Sequence, residues 1–121
     1  MKSRWIEHRG KRVLLADYSD FGVNAAALQQ EIDALLDLLR QEPLHSVLVI
    51  TNVSGTIATP GTFNALKSVL RVSNDYVRRR AVIGLKPSQM AFLEIINRLT
   101  GQARMKHFVT LEEALDWIVQ D

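Results

Sequence analysis

The 121-residue chain has no cysteine. Disulfides, thiolate metal sites and cysteine nucleophiles are therefore excluded. Its three histidines, His8, His45 and His107, stand far apart, without the close spacing that metal ligands need. No metal or other cofactor is expected. An excess of one charge is also missing: 15 Lys and Arg face 13 Asp and Glu, a formal net charge of +2. Bulk electrostatics give no reason to expect a nucleic-acid partner. No apolar run approaches the roughly 18 residues of a membrane span. The opening MKSRWIEHRGKR is charged where a signal peptide would carry an apolar core. A cytoplasmic protein without membrane insertion is the expectation.

Hydrophobic residues make up 47% of the chain and charged residues 23%, an ordinary globular balance. This length supports one core and not two, so residues 1–121 read as a single domain. The chain is organised around residues 46–64, SVLVITNVSGTIATPGTFN. Val47, Leu48, Val49 and Ile50 form the short, β-branched run of a central strand covered on both faces. Asn52, Ser54, Gly55, Thr56, Thr59, Pro60, Gly61 and Thr62 follow as a polar loop and a helix start. In open α/β sheets the crevice beyond the carboxyl ends of the strands is where ligands and partners bind.

The flanking segments repeat this alternation. Residues 5–8 and 11–16 read as a hairpin about Arg9 and Gly10. Residues 17–23 form a turn-rich loop. Asn24 caps a helix over 25–40, whose apolar stripe is Ala25, Leu28, Ile32, Leu35, Leu36 and Leu39, with Gln29, Glu31, Asp33 and Asp37 outside. Pro43 lies beyond its end. Thr59 as N-cap and Pro60 at the first helical position begin a helix over about 60–77. It would bury Phe63, Leu66, Val69 or Leu70, Ser73 and Val77. Its opposite face carries Lys67, Arg71, Asn74 and Arg78, and Arg78, Arg79 and Arg80 suit the negative end of its dipole. Residues 81–85 form another buried strand. Lys86, Pro87 and Ser88 open a third helix ending near Leu99, with Gly101 as its C′ residue. That helix carries Met90, Phe92, Leu93, Ile95, Ile96 and Leu99, more apolar surface than one sheet face can bury. Residues 104–108 form a partly polar edge strand. Thr110 and Glu113 form a capping box for a last helix that buries Leu111, Ala114, Leu115 and Ile118, with Trp117 at its margin.

The result is an α/β domain of order β-β-α-β-α-β-α-β-α, with a mostly parallel central sheet flanked by helices. An opening hairpin followed by β-α units in this length resembles the STAS domain. RRRAVIGLKPSQMAFLEIINRLTGQ leading into a strand, then FVTLEEALDWI, is similar to the SpoIIAA-like, CRAL-TRIO-related bacterial branch of that family. The resemblance implies a non-catalytic regulatory or protein-interaction module. In regulatory STAS proteins a serine of an Asp-Ser-Ser-Gly-like motif opens the helix after the third strand, and its phosphorylation breaks partner binding. Here Ala58-Thr59-Pro60-Gly61-Thr62 occupies that stretch and the Asp-Ser-Ser signature is absent. Thr59 and Thr62 are the phosphorylation candidates that the resemblance leaves, and N-capping is the plainer role for Thr59.

Catalytic patterns are missing. The strand over 47–50 ends in Thr51-Asn52, so the phospho-accepting Asp of a response-regulator receiver is not there, despite Asp17, Asp20, Ser88 and Lys106. Gly55 and Gly61 are followed by no Gly-Lys-Ser/Thr and build no phosphate loop. No Ser-His-Asp order or paired carboxylates stand out. Two readings follow. One is an interaction module, including a homodimer, that uses Asn52, Ser54, Thr56, Thr59 and Thr62 with Met90 and Leu93, and docks acidic partners on Lys67, Arg71 and Arg78. The other is a carrier or sensor of a small apolar or anionic ligand, which requires a cavity beside the third helix.

Overall fold

Arg9 and Gly10 both take positive φ, 51° and 78°, the conformation of a two-residue hairpin turn matched to strand twist. They join β1 (Arg4–His8) to β2 (Lys11–Asp17) in antiparallel register, with His8 opposite Lys11. The computed structural model describes residues 1–99 and 104–120. After the hairpin come α1 (Ala25–Leu39), β3 (Val47–Asn52), α2 (Pro60–Ser73), β4 (Val77–Ile83), α3 (Met90–Leu99), β5 (Met105–Phe108) and α4 (Leu111–Ile118). The expected β-β-α-β-α-β-α-β-α order is the order found, and Gly101 lies outside the described residues.

The sheet runs β1-β2-β3-β4-β5, and every pair after the hairpin is parallel. Each crossover steps the same way across the sheet, so right-handed connections bring α1, α2 and α3 to one face. α4, which follows the last strand, covers the other. The period of two along each strand divides the core accordingly. Leu14, Ala16, Tyr18, Val47 and Val49 join the α1–α2 layer. Val13, Leu15, Leu48, Ile50, Ala81 and Ile83 join Ala114, Leu115 and Ile118 of α4.

Several boundaries differ from the sequence reading. α2 stops at Ser73, not near Val77, because the chain turns there: Asn74 N–H closes on Leu70 O and Tyr76 N–H on Ser73 O. Val77, Arg78, Arg79 and Arg80 therefore belong to β4, which begins four residues earlier than expected and ends at Ile83. Lys67 and Arg71 share α2 without Arg78. Thr62 and Ala65 are buried on α2 while Phe63 and Leu66 are half-buried. Pro87–Gln89 form a 3₁₀ turn, and the α-helix starts at Met90. Leu111 is only half-buried. Thr110 does cap α4, accepting the Glu113 N–H at 3.2 Å.

Glu31 is buried, contrary to expectation. It lies three residues after Leu28 and four before Leu35, on the apolar stripe itself. Its carboxylate accepts the backbone N–H groups of Lys2 at 2.9 Å and Ser3 at 3.0 Å, fastening the start of the chain onto α1. Burial alone would raise this carboxyl, but those N–H groups and the Ser3 hydroxyl hold it below its ordinary value. A group depressed in the folded state contributes its stability above the ordinary carboxylate range and loses it as pH falls through the lowered value. Glu31→Gln is expected to cost about 1–3 kcal/mol at neutral pH. Urea denaturation stepped down toward about pH 3 should show that deficit shrinking. A deficit constant with pH would contradict the anchor.

Candidate functional site

The carboxyl ends of β2, β3 and β4 open onto the two loops that lead into α1 and α2. Those loops are tied to each other: Tyr18 N–H donates to Asn52 O at 2.9 Å, Asp20 N–H to Ser54 O at 2.7 Å, and Ile57 N–H to Gly22 O at 2.8 Å. Side chains finish the lattice. Thr56 donates its hydroxyl to Tyr18 O at 2.5 Å and accepts Phe21 N–H at 3.2 Å. Asn52 Oδ1 accepts Ser54 N–H at 3.0 Å. Ser54 presses on Gly84, where φ is +88° and an added Cβ would come within 2.6 Å of Ser54 N, so only glycine fits.

Thr59 accepts Thr62 N–H at 3.1 Å, and Thr62 Oγ1 accepts Thr59 N–H at 2.9 Å, a reciprocal cap at the start of α2. Thr62 is 1% exposed and donates its hydroxyl to Ile57 O at 2.6 Å. Thr59 is the more open of the two. Asn52, Ser54, Thr56, Thr59 and Thr62 thus converge at one end of the sheet, and the bonds named here lie within the chain.

Beneath this loop, between the sheet and the α2–α3 pair, lies a cavity of about 80 Å³. Phe63, Leu66 and Leu70 of α2 form one wall; Phe92, Leu93 and Ile96 of α3 form the other. Phe63 and Phe92 meet across it with ring centroids 5.8 Å apart. The cavity has a local cause. α3 packs over the β4–β5 side, where only Leu70, Val82, Leu93 and Met105 form a small buried cluster. The larger cluster under α1 and α2 reaches the cavity from the other side, through Leu35, Leu39, Val49 and Val69.

The surplus apolar surface of α3 is divided. Leu93 turns inward and is buried, and Phe92 rests on Phe63, while Met90 and Ile95 remain 37% and 44% exposed. Met90 and Leu93 therefore occupy different environments, one at the surface and one in the cavity wall.

Two polar groups missed at the sequence level also line the cavity: Tyr18 at the end of β2 and Arg80 in β4. The β3–β4 register shifts at Val47–Leu48, so Val77 pairs with Val47 and Arg79 with Leu48. Arg78 is the extra residue. It faces solvent, whereas Val77 and Arg80, three positions apart, both line the cavity. Arg79 goes to the opposite face, its guanidinium 5.3 Å from the Trp117 ring and donating to Gln120 O at 2.7 Å.

Arg80 is 3% exposed. Its Nη2 donates to Ser73 Oγ at 2.7 Å and Asn74 Oδ1 at 3.1 Å, at the carbonyl end of α2. Nε is buried without a partner, as is the Tyr18 hydroxyl. No acidic side chain among the described residues pairs with Arg80. Burial pulls the guanidinium down to about 10, still charged at neutral pH, with Tyr18 nearby acting the other way. Burial, then the field of Glu31, pushes the Tyr18 hydroxyl far above its ordinary value, so it remains a donor. A tyrosine inside a turn-rich loop and an arginine inside an apolar strand were the available signals.

Among the described residues no cluster of three His, Cys, Asp or Glu could hold a metal, and no helix is long and apolar enough to cross a membrane. No family model matches the chain and no curated protein does. Solved structures do match. One is an uncharacterised protein of the DUF3478 family with a SpoIIAA-like fold from Shewanella loihica PV-4. It is 16% identical, with a TM-score of 0.64 over 96% of this chain and 91% of that one. The fold is SpoIIAA-like, as the sequence resemblance implied.

A buried cation without an acidic partner is commonly neutral or unfavourable for stability relative to an apolar residue of similar size. Arg80→Met is therefore expected to leave stability within about 1 kcal/mol or to raise it. Ser73→Ala, which strips Nη2 of a partner, should cost about 1–2 kcal/mol. Chemical denaturation of the two variants checks this; a strongly destabilised Arg80→Met would make Arg80 a structural residue.

Proposed function

We propose that this domain is a non-catalytic binding module whose cavity under α3 takes a small, largely apolar ligand. The observation that carries this reading is the cavity itself. Helices packed on a sheet normally fill the intervening space to crystal-like density, and here the walls of Phe63, Leu66, Phe92, Leu93 and Ile96 leave room. In the lining, Tyr18 and Arg80 are held in their protonated forms, which suits them to donate to a bound molecule.

The carrier and regulatory readings meet at α3. The helix that closes the cavity also carries Met90 and Ile95 at the surface, so a partner docked there would feel whether the cavity is filled. The basic positions Lys67 and Arg71 on α2 lie along the same layer. Phosphorylation at Thr59 would add charge at the cap of α2, which forms the other wall. Each of these links couples ligand to partner through a wall of the cavity.

Intact mass of the protein purified from its own cells, native and then denatured, tests the reading. A stoichiometric organic molecule lost on denaturation is expected, and it should be absent from Leu93→Trp, which fills the space. A bare mass in both states, from cells grown under several conditions, would count against a resident ligand.

A further inference from the structure

We propose that the ligand is a small carboxylate with an apolar body, its charged end held by Arg80 and Tyr18 and its body by the walls of α2 and α3. This rests on the cavity being a ligand site and adds the chemistry that the ligand must have.

A guanidinium buried with no acidic partner leaves net positive charge in the interior. The carbonyl end of α2, where Arg80 meets Ser73 and Asn74, offsets part of that charge, since a helix terminus carries roughly half a unit. The remainder calls for an anion. Two donors are unused and both belong to residues lining the space: Arg80 Nε and the Tyr18 hydroxyl. A carboxylate brings two acceptor oxygens and one negative charge, matching that supply. A phosphate would bring more oxygens and more charge than these two donors satisfy. Glu31, the acid whose field reaches Tyr18, is itself held by the N–H groups of Lys2 and Ser3 and is not available as an internal counter-ion.

Size and polarity narrow the class. The space of about 80 Å³ is roughly half that of a ~150 Å³ cavity known to take benzene in another protein. The ligand is therefore a short-chain aliphatic acid, smaller than benzene. Walls of Leu66, Leu70, Phe92 and Leu93 favour an apolar body over a hydroxylated or doubly charged one. An ordered water bridging Arg80 and Tyr18 is the competing explanation for the two unused donors, and it predicts no preference for anions.

The test is calorimetric titration of the whole chain at constant ionic strength. Acetate, propionate and butyrate are compared with ethanol, 1-propanol and 1-butanol. At least one acid is expected to bind about tenfold or more tightly than its alcohol, the scale of one charge-assisted hydrogen bond. Arg80→Met should abolish the preference while leaving alcohol binding intact, and Tyr18→Phe should reduce it. If Arg80→Met does not fold, Arg80→Lys keeps the charge without Nε and should weaken the acid selectively. Equal binding of acids and alcohols, or an undiminished preference in these variants, would overturn the carboxylate assignment and leave the cavity reading standing. Binding of neither class would remove both.

Discussion

The register slip between β3 and β4 is the constraint on which the interior depends. Without it, strict alternation would send Arg80 to the face opposite Val77. With Arg78 as the extra residue, the run of three arginines is dealt out three ways. Arg78 goes to solvent, Arg79 to the carbonyls at the end of α4, and Arg80 into the layer between sheet and helices. An arginine in that layer cannot be packed as leucine would be. It needs the end of α2 beside it, and it leaves one buried donor, Nε, without a partner.

The rest of the structure is consistent with preserving that arrangement. α2 must end where Ser73 and Asn74 reach the guanidinium, and its start is fixed by the reciprocal Thr59–Thr62 cap. The loops at the carboxyl ends of the strands are cross-tied through Thr56, Asn52 and the Tyr18 backbone, which fixes where the Tyr18 ring stands. α3, by contrast, is held by the small cluster of Leu70, Val82, Leu93 and Met105 and by the Phe63–Phe92 contact. The rigid side of the cavity is the sheet, and the side with least buried apolar contact is the helix that carries Met90 and Ile95.

Most of the architecture was legible in the sequence because it rests on local signals. The Arg9-Gly10 turn, the caps at Asn24, Thr59 and Thr110, and Pro60 at the first turn of α2 all read correctly. The errors share a physical origin. Val77 stands four residues after Ser73, so helical spacing ran on through a turn that no proline or glycine announces. The strand after it hides its period of two behind three charges and an extra residue. Glu31 was set outside because it is charged, although its spacing put it inside; partners at the far end of the chain, Lys2 and Ser3, cannot be seen from a helix pattern. The candidate site shows the same division between local and long-range signals. The polar loop was correctly placed at the ends of the strands, but the loop residues are engaged with one another. The two groups with unused donors were those whose burial depends on strand register and on long-range packing.

Nuclear magnetic resonance of the Arg80 Nε–Hε group tests the central claim most directly, since it reads the buried donor itself. In wild-type protein the account predicts that saturating propionate or butyrate shifts the Hε signal downfield and slows its exchange with water, as a new hydrogen bond to an anion requires. An Hε signal unmoved by any of these acids, in a protein whose other resonances remain those of the folded state, would contradict it.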